Sequence, residues 1–352
     1  MKTALKEIYF LLILLFVISC SSVTSTVEKS DEPSKIIVAY VTSWSSIIPD
    51  PAYMTHINYA FGHVNDSFNG VRIDNPNRLK QIVSLRKENP SLKVLLSVGG
   101  WGSGRFSEMA ASAQNRQQFA EECRKVATEF NLDGIDIDWE YPTSSAAEIS
   151  SSPDDTNNFT LLMRDIRNAI GKEKLLTLAS AASAEYIDLE AIDPYVDFVN
   201  IMAYDMASAP KHHSALYRSE NSGYLTSDEA VKRHNAAGCP TRKLVLGMPF
   251  YGRGGKNGIP NFIDYKNIET LTGVTTHWDE KAQVPYLTDS TGEFVCGFDN
   301  PRSLEIKCQY AKEQGLLGVM YWDYDGDNKA GDLRKAVYKA IMNDKTRAGK
   351  SI

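Results

Sequence analysis

Two hydrophobic periods take turns along this chain. Short runs of apolar and β-branched residues give way to stretches in which apolar residues return every three or four positions. The short runs predict strands over residues 36–41, 56–61, 93–98, 134–138, 175–179, 198–203, 244–249 and 318–322. The longer period predicts helices over 77–87, 107–130, 157–170, 227–237, 301–314 and 332–342. Eight strands interleaved with helices, and no internal repeat, point to an α/β fold in which a parallel sheet closes into a (β/α)8 TIM barrel. Right-handed crossovers make that closure straightforward. Residues 254–300 break the rhythm and read as a small insertion, a short helix and a hairpin, between strands seven and eight.

The fourth run has a pattern of its own. From Ile135 to Glu140 apolar and acidic residues alternate, so an extended chain puts Asp136, Asp138 and Glu140 on one face and Ile135, Ile137 and Trp139 on the other. Acidic residues are poor strand formers and like charges two residues apart repel, so the face is either a solvated edge or a site with chemical work to do. Trp139, Tyr141 and Pro142 close the run and favour a sugar-binding cleft. Crowded carboxylates in a cleft cannot all stay ionised. One is held protonated, as a general acid for a glycosidic oxygen must be, and Glu140 has the longest reach.

Barrel enzymes carry their sites at the C-terminal ends of the strands. Aromatic and polar residues gather at those ends here: Tyr40 and Trp44, Phe61, Trp101, Met202, Tyr204 and Asp205, Tyr251 and Arg253, and Trp322. Pyranose rings stack on such side chains while polar edges bind hydroxyls. Two carboxylates two residues apart on one strand cannot straddle a sugar ring as acid and nucleophile, so the nucleophile comes from elsewhere.

Asp133-Gly-Ile-Asp-Ile-Asp-Trp-Glu140 resembles the D-G-x-D-x-D-W-E signature of glycoside hydrolase family 18, the chitinase family, at every fixed position. The resemblance extends from Ile36 to Tyr338. Ser97, Gly99 and Gly100 are similar to its S-x-G-G motif, and Met202 to Asp205 to its M-x-Y-D motif. The likeness implies a barrel hydrolase acting on chitin or chitooligosaccharides without cofactor or metal, by retaining, substrate-assisted catalysis through an oxazolinium ion. It implies Glu140 as acid, Asp138 orienting the acetamido group and sharing a proton with Asp136, and Tyr204 donating to the acetamido carbonyl. Ser97 would bond the inner carboxylates and Trp322 would floor the cleaved sugar. Residues 254–300 resemble, in shortened form, the insertion that walls the groove in many members.

Composition narrows the partners. The chain has 352 residues, 43% of them hydrophobic, enough for one large core. A net charge of −6 with no basic stripe excludes nucleic acid as the main partner, and a monomer is expected. Cys123, Cys239, Cys296 and Cys308 are scattered, and the His212-His213 pair has no ligand spacing, so no metal site is signalled.

The N-terminus carries a different message. Residues 1–20 read as a bacterial lipoprotein signal peptide: Lys2 and Lys6 precede an apolar run that ends in a lipobox-like Val17-Ile18-Ser19-Cys20. Acylated Cys20 would tie the protein to a lipid bilayer in the bacterial cell envelope. Residues 21–33 read as a flexible linker, and 34–345 as the catalytic barrel. Two other functions share the motif or the fold: an endo-β-N-acetylglucosaminidase on N-glycans, and a non-catalytic chitooligosaccharide-binding lipoprotein.

Overall fold

The computed structural model describes residues 35–342. The segments read as signal peptide and linker, with Cys20, fall outside them. Eight parallel strands run β1 (Ile36–Thr42), β2 (His56–Val64), β3 (Lys93–Gly99), β4 (Gly134–Asp138), β5 (Leu175–Ala181), β6 (Phe198–Met202), β7 (Leu244–Pro249) and β8 (Gly318–Trp322). They pair in the order β1-β8-β7-β6-β5-β4-β3-β2, and β1 pairs with β2 to close the barrel.

The strand period of two sorts the side chains. Ile37, Ala39, Ile135 and Ile137 face outward into the layer between sheet and helices, while Val38, Tyr40, Val245 and Met320 face in. The inner face is unusually polar: Asn58, Ser97, Asp136, Thr177 and Asn200 are all fully buried there. The acidic face of β4 is therefore the barrel interior rather than a wet edge.

The helical layer is α1 (Pro76–Ser84), α2 (Phe106–Ala111), α3 (Ala113–Glu129), α4 (Asp155–Ile170), a short α5 (Leu189–Ile192), α6 (Ser227–Ala236), α7 (Tyr265–Ile268, in the insertion), α8 (Pro301–Glu313) and α9 (Asp332–Met342). The helix expected over 107–130 is two. Ser112 takes an extended conformation (φ −97°, ψ 121°) and its hydroxyl accepts from the Asn115 amide, which starts a new helix. The expected insertion hairpin gains a third strand, giving an antiparallel sheet of Val274–Asp279, Val284–Asp289 and Phe294–Gly297. Phe294, Val295 and Cys296 of that third strand are buried, an apolar gain that local pattern did not reveal. The four cysteines of the barrel are buried and free.

Candidate active site

The three carboxylates of the β4 face occupy three depths. Asp136 is innermost. Its Oδ2 accepts from the Tyr40 hydroxyl (2.8 Å) and Ser97 Oγ (2.8 Å), and its Oδ1 from Thr177 Oγ1 (2.5 Å) and Asn200 Nδ2 (3.3 Å). Burial raises its proton affinity and these donors pull it back without cancelling the rise. Asp136 does not line the cleft. Both Asp136 oxygens are taken by these donors, and the buried Asp138 Oδ1 has no hydrogen-bond partner. Ser97 reaches Asp136 alone.

Asp138 sits one layer out and is 4% exposed. Burial first, and then the charges of Glu140 and Asp136, push its carboxyl well above the usual range. Glu140 follows the end of the strand and faces the cleft. Burial pushes it up to about 7, Tyr141 opposing and the Asp205 charge adding. A carboxyl held near neutrality is what an acid poised at neutral pH requires.

The Gly99-Gly100 pair lets β3 crowd this strand. Gly99 has φ +131°, and a Cβ there would lie 1.9 Å from the Asp138 carbonyl oxygen. Gly100 has φ +93°, donates its amide to that oxygen at 2.8 Å, and would press a Cβ to 2.6 Å from the Phe61 ring. Only glycine accepts both the dihedral and the approach.

A cleft of about 740 Å³ opens above the carboxylates. Trp322 stacks on Phe61 (5.6 Å, 20°) and tilts toward Tyr40 (5.6 Å), forming one apolar surface. Opposite, Tyr141 stacks on Tyr186 (5.0 Å, 11°), with Trp101, 63% exposed, set edge-on to Tyr141. Met202 and Tyr204 line the cleft beside them, the Tyr204 hydroxyl 3.8 Å from Met320 Sδ. Asp205 is gripped at the rim. It accepts from the Tyr251 hydroxyl (2.8 Å) and, through both oxygens, from Arg253 (2.6 and 2.5 Å). Burial acts upward on its carboxyl, but hydrogen bonds and charge from His213 and Arg253 prevail and hold it well below the usual range. Non-proline cis peptides occur at Ala60-Phe61, Glu140-Tyr141 and Trp322-Asp323.

All nine of the expected substrate-contacting residues, Tyr40, Phe61, Trp101, Tyr141, Met202, Asp205, Tyr251, Arg253 and Trp322, line this cleft. Trp139 does not. It is 1% exposed and stacks on Phe106 (5.3 Å, 13°) in the outer layer, the face that the alternation assigns to it. Tyr186, Tyr224 and Phe262 line the cleft but come from loops, where no periodicity marked them. The insertion sheet does not wall the cleft: none of residues 274–297 lines it, and Phe262 is the insertion's contribution.

Carboxyls poised for proton transfer beneath a sugar-sized aromatic cleft, at the C-terminal mouth of a (β/α)8 barrel, define a glycoside hydrolase. The chain belongs to the glycosyl hydrolases family 18, whose profile matches residues 36–327. Chitinase A1 of Niallia circulans is 31% identical over 405 residues, covering 86% of this chain and 58% of that protein. The Endochitinase of Manduca sexta is 30% identical over 371 residues, covering 87% of this chain and 66% of that one. The chain thus spans less than two thirds of either relative. A solved glycoside hydrolase family 18 N-acetylglucosaminidase from Paenibacillus barengoltzii matches with a TM-score of 0.80 at 34% identity, over 87% of this chain and 100% of its own.

Proposed function

We propose that this protein hydrolyses β-1,4 links between N-acetylglucosamine units by substrate-assisted catalysis. The observation that carries the reading is the pairing on one face of the cleft of Glu140, held near neutrality and facing the open space, with Asp138, buried one layer beneath it. Of the other acids lining it, Asp205 is tied to Arg253 and Glu185 lies on an exposed loop, so the nucleophile falls to the substrate. Glu140 protonates the glycosidic oxygen as the C–O bond breaks. The acetamido oxygen of the same sugar closes on the anomeric carbon, giving an oxazolinium ion. Asp138 holds the acetamido N–H and stabilises the cation, with Tyr204 donating to the acetamido oxygen. Glu140, now ionised, takes a proton from the water that opens the ring, with net retention. Asp136 lies beneath, its charge adding to the rise at Asp138, and shares a proton with it.

Parallel assays on chitooligosaccharides and on a high-mannose glycopeptide test the substrate, and a thiazoline mimic of the oxazolinium ion tests the mechanism. Cleavage of the glycopeptide alone transfers the assignment to N-glycans. Binding without cleavage makes the protein a sugar-binding one. Failure of the thiazoline to inhibit rules out substrate assistance. The signal and Cys20 support a lipid anchor in a bacterial envelope, with the barrel as a monomer outside the bilayer.

A further inference from the structure

The loop after β6 carries the consecutive residues His212, His213 and Ser214, all buried. The histidine pair, a loop feature with no role in the sequence, joins three separate parts of the protein. His212 Nε2 lies 3.1 Å from Asp279 Oδ2 on the insertion sheet, and burial pushes His212 down to about 4, so the neutral ring donates from Nε2. Ser214 Oγ donates to Asp299 Oδ2 (2.6 Å), which also takes Lys307 Nζ at 2.7 Å in a pair with no exposure at all. Between these two anchors, His213 points the other way, toward the cleft rim.

Its Nδ1 lies 3.4 Å from the backbone nitrogen of Asp205 and 3.5 Å from Asp205 Oδ1. The His213 carbonyl accepts from the Met206 amide at 3.0 Å. Asp205 has φ +56°, a left-handed conformation that a non-glycine residue keeps only when its surroundings hold it. Whichever tautomer His213 adopts, Nδ1 engages Asp205: protonated, it faces the carboxylate, and bare, it accepts the amide. Nε2 has no partner, so the ring has no other polar task. The other titratable or charged groups facing Asp205 are Tyr251 and Arg253, which bond it, Tyr204 and Tyr224 along the cleft, and the Glu140 charge across it.

We propose that His213 is a positioning residue that holds Asp205 in its left-handed conformation and aims its carboxylate at the cleft rim, and that the insertion sheet serves this strap instead of walling the groove. The inference rests on Asp205 being part of the substrate site. His213 does not line the cleft and touches no reacting atom.

The test uses the full chain with His213→Leu, His213→Asn, Asp205→Asn and the double variant His213→Leu/Asp205→Asn, each checked for an unchanged circular dichroism spectrum. With chitooligosaccharide as substrate, His213→Leu is expected to lower kcat/KM about tenfold, and His213→Asn, whose amide can stand in for Nδ1, to recover most of it. In the Asp205→Asn background the leucine change should cost less than about twofold, because its effect travels through Asp205. Losses that multiply in the double variant would make His213 a packing residue and overturn the proposal. A second readout needs no activity: ¹³C-carboxyl titration of Asp205 should show its midpoint rise by about one pH unit in His213→Leu. A carboxyl midpoint and an Asp205 backbone amide resonance that both stay unmoved overturn the proposal, the first reporting the contact to the carboxylate and the second the contact to the amide. Wild type that cleaves no chitooligosaccharide, or Asp205→Asn with full activity, refutes the site reading instead, and the titration then decides the role of His213.

Discussion

Glu140→Gln separates the shape of this side chain from its titration. The Glu140 carboxyl is held at about 7 against an ordinary 4.5. A rise of that size is about 3 kcal/mol of preference for the protonated form. Between those two pH values the folded protein binds a proton that the unfolded chain has released, so stability falls as pH rises through the window and levels off above it. The stabilisation is complete below the unfolded value and gone above the folded one. The glutamine amide is neutral throughout, so the variant should match wild type near pH 4 and exceed it by roughly 2 kcal/mol near pH 8, Asp138 sharing part of the charge. Urea unfolding at the two pH values measures the difference. Hydrolysis should respond oppositely: the amide cannot protonate the leaving group, and turnover falls about 10²- to 10⁴-fold at every pH. In wild type the alkaline limb of kcat should have its midpoint near the Glu140 value. Equal stability of the two proteins at alkaline pH, or a variant that keeps most of its turnover, would refute the assignment of a buried, protonated acid.

Trp322→Ala removes the ring stacked on Phe61 and should cost at least about tenfold in kcat/KM. Trp278→Ala, on the insertion sheet beneath Arg302 and outside the cleft lining, should leave it unchanged, and equal losses would mean the aromatic surface is misassigned. Gly99→Ala forces a methyl to 1.9 Å from the Asp138 carbonyl oxygen at φ +131° and should destabilise the fold by about 3 kcal/mol or more, read as a lowered melting temperature. An unchanged melting point would show that β3 and β4 are not so closely set. Cys20→Ala should move the protein from the membrane fraction to the soluble one, whereas continued membrane association would exclude acylation as the anchor.

How much of this was legible beforehand depends on the range of the force involved. Strand alternation is local, so the face shared by Asp136, Asp138 and Glu140 could be read from β4 alone, and so could the opposite face that buries Ile135, Ile137 and Trp139. Counting Trp139 among the aromatics that favour a cleft sat uneasily with the alternation that put it on the opposite face, and that face is where it lies. Six other strand ends carry aromatic or polar residues in the same way, which is why the cleft residues on them were visible. Tyr186, Tyr224 and Phe262 were not, because loops have no period and their placement depends on what they pack against.

The division of labour among the carboxylates was beyond local reading as well. The donors that satisfy Asp136 lie 39 to 96 positions away, on β1, β3, β5 and β6, and only closure of the barrel gathers them around one side chain. That gathering leaves Asp138 without a partner for Oδ1 and Glu140 facing the cleft, so three like residues acquire three proton affinities. His213 makes the same point at the rim: its meeting with Asp205 spans eight positions of a loop, but the anchors on either side of it come from Asp279 and Asp299. Residue identity and period determined which chemical groups this protein has and the face each occupies. Tertiary structure decided which are buried, which are paired and which can give up a proton, because burial and pairing are set by neighbours that the chain brings from far away.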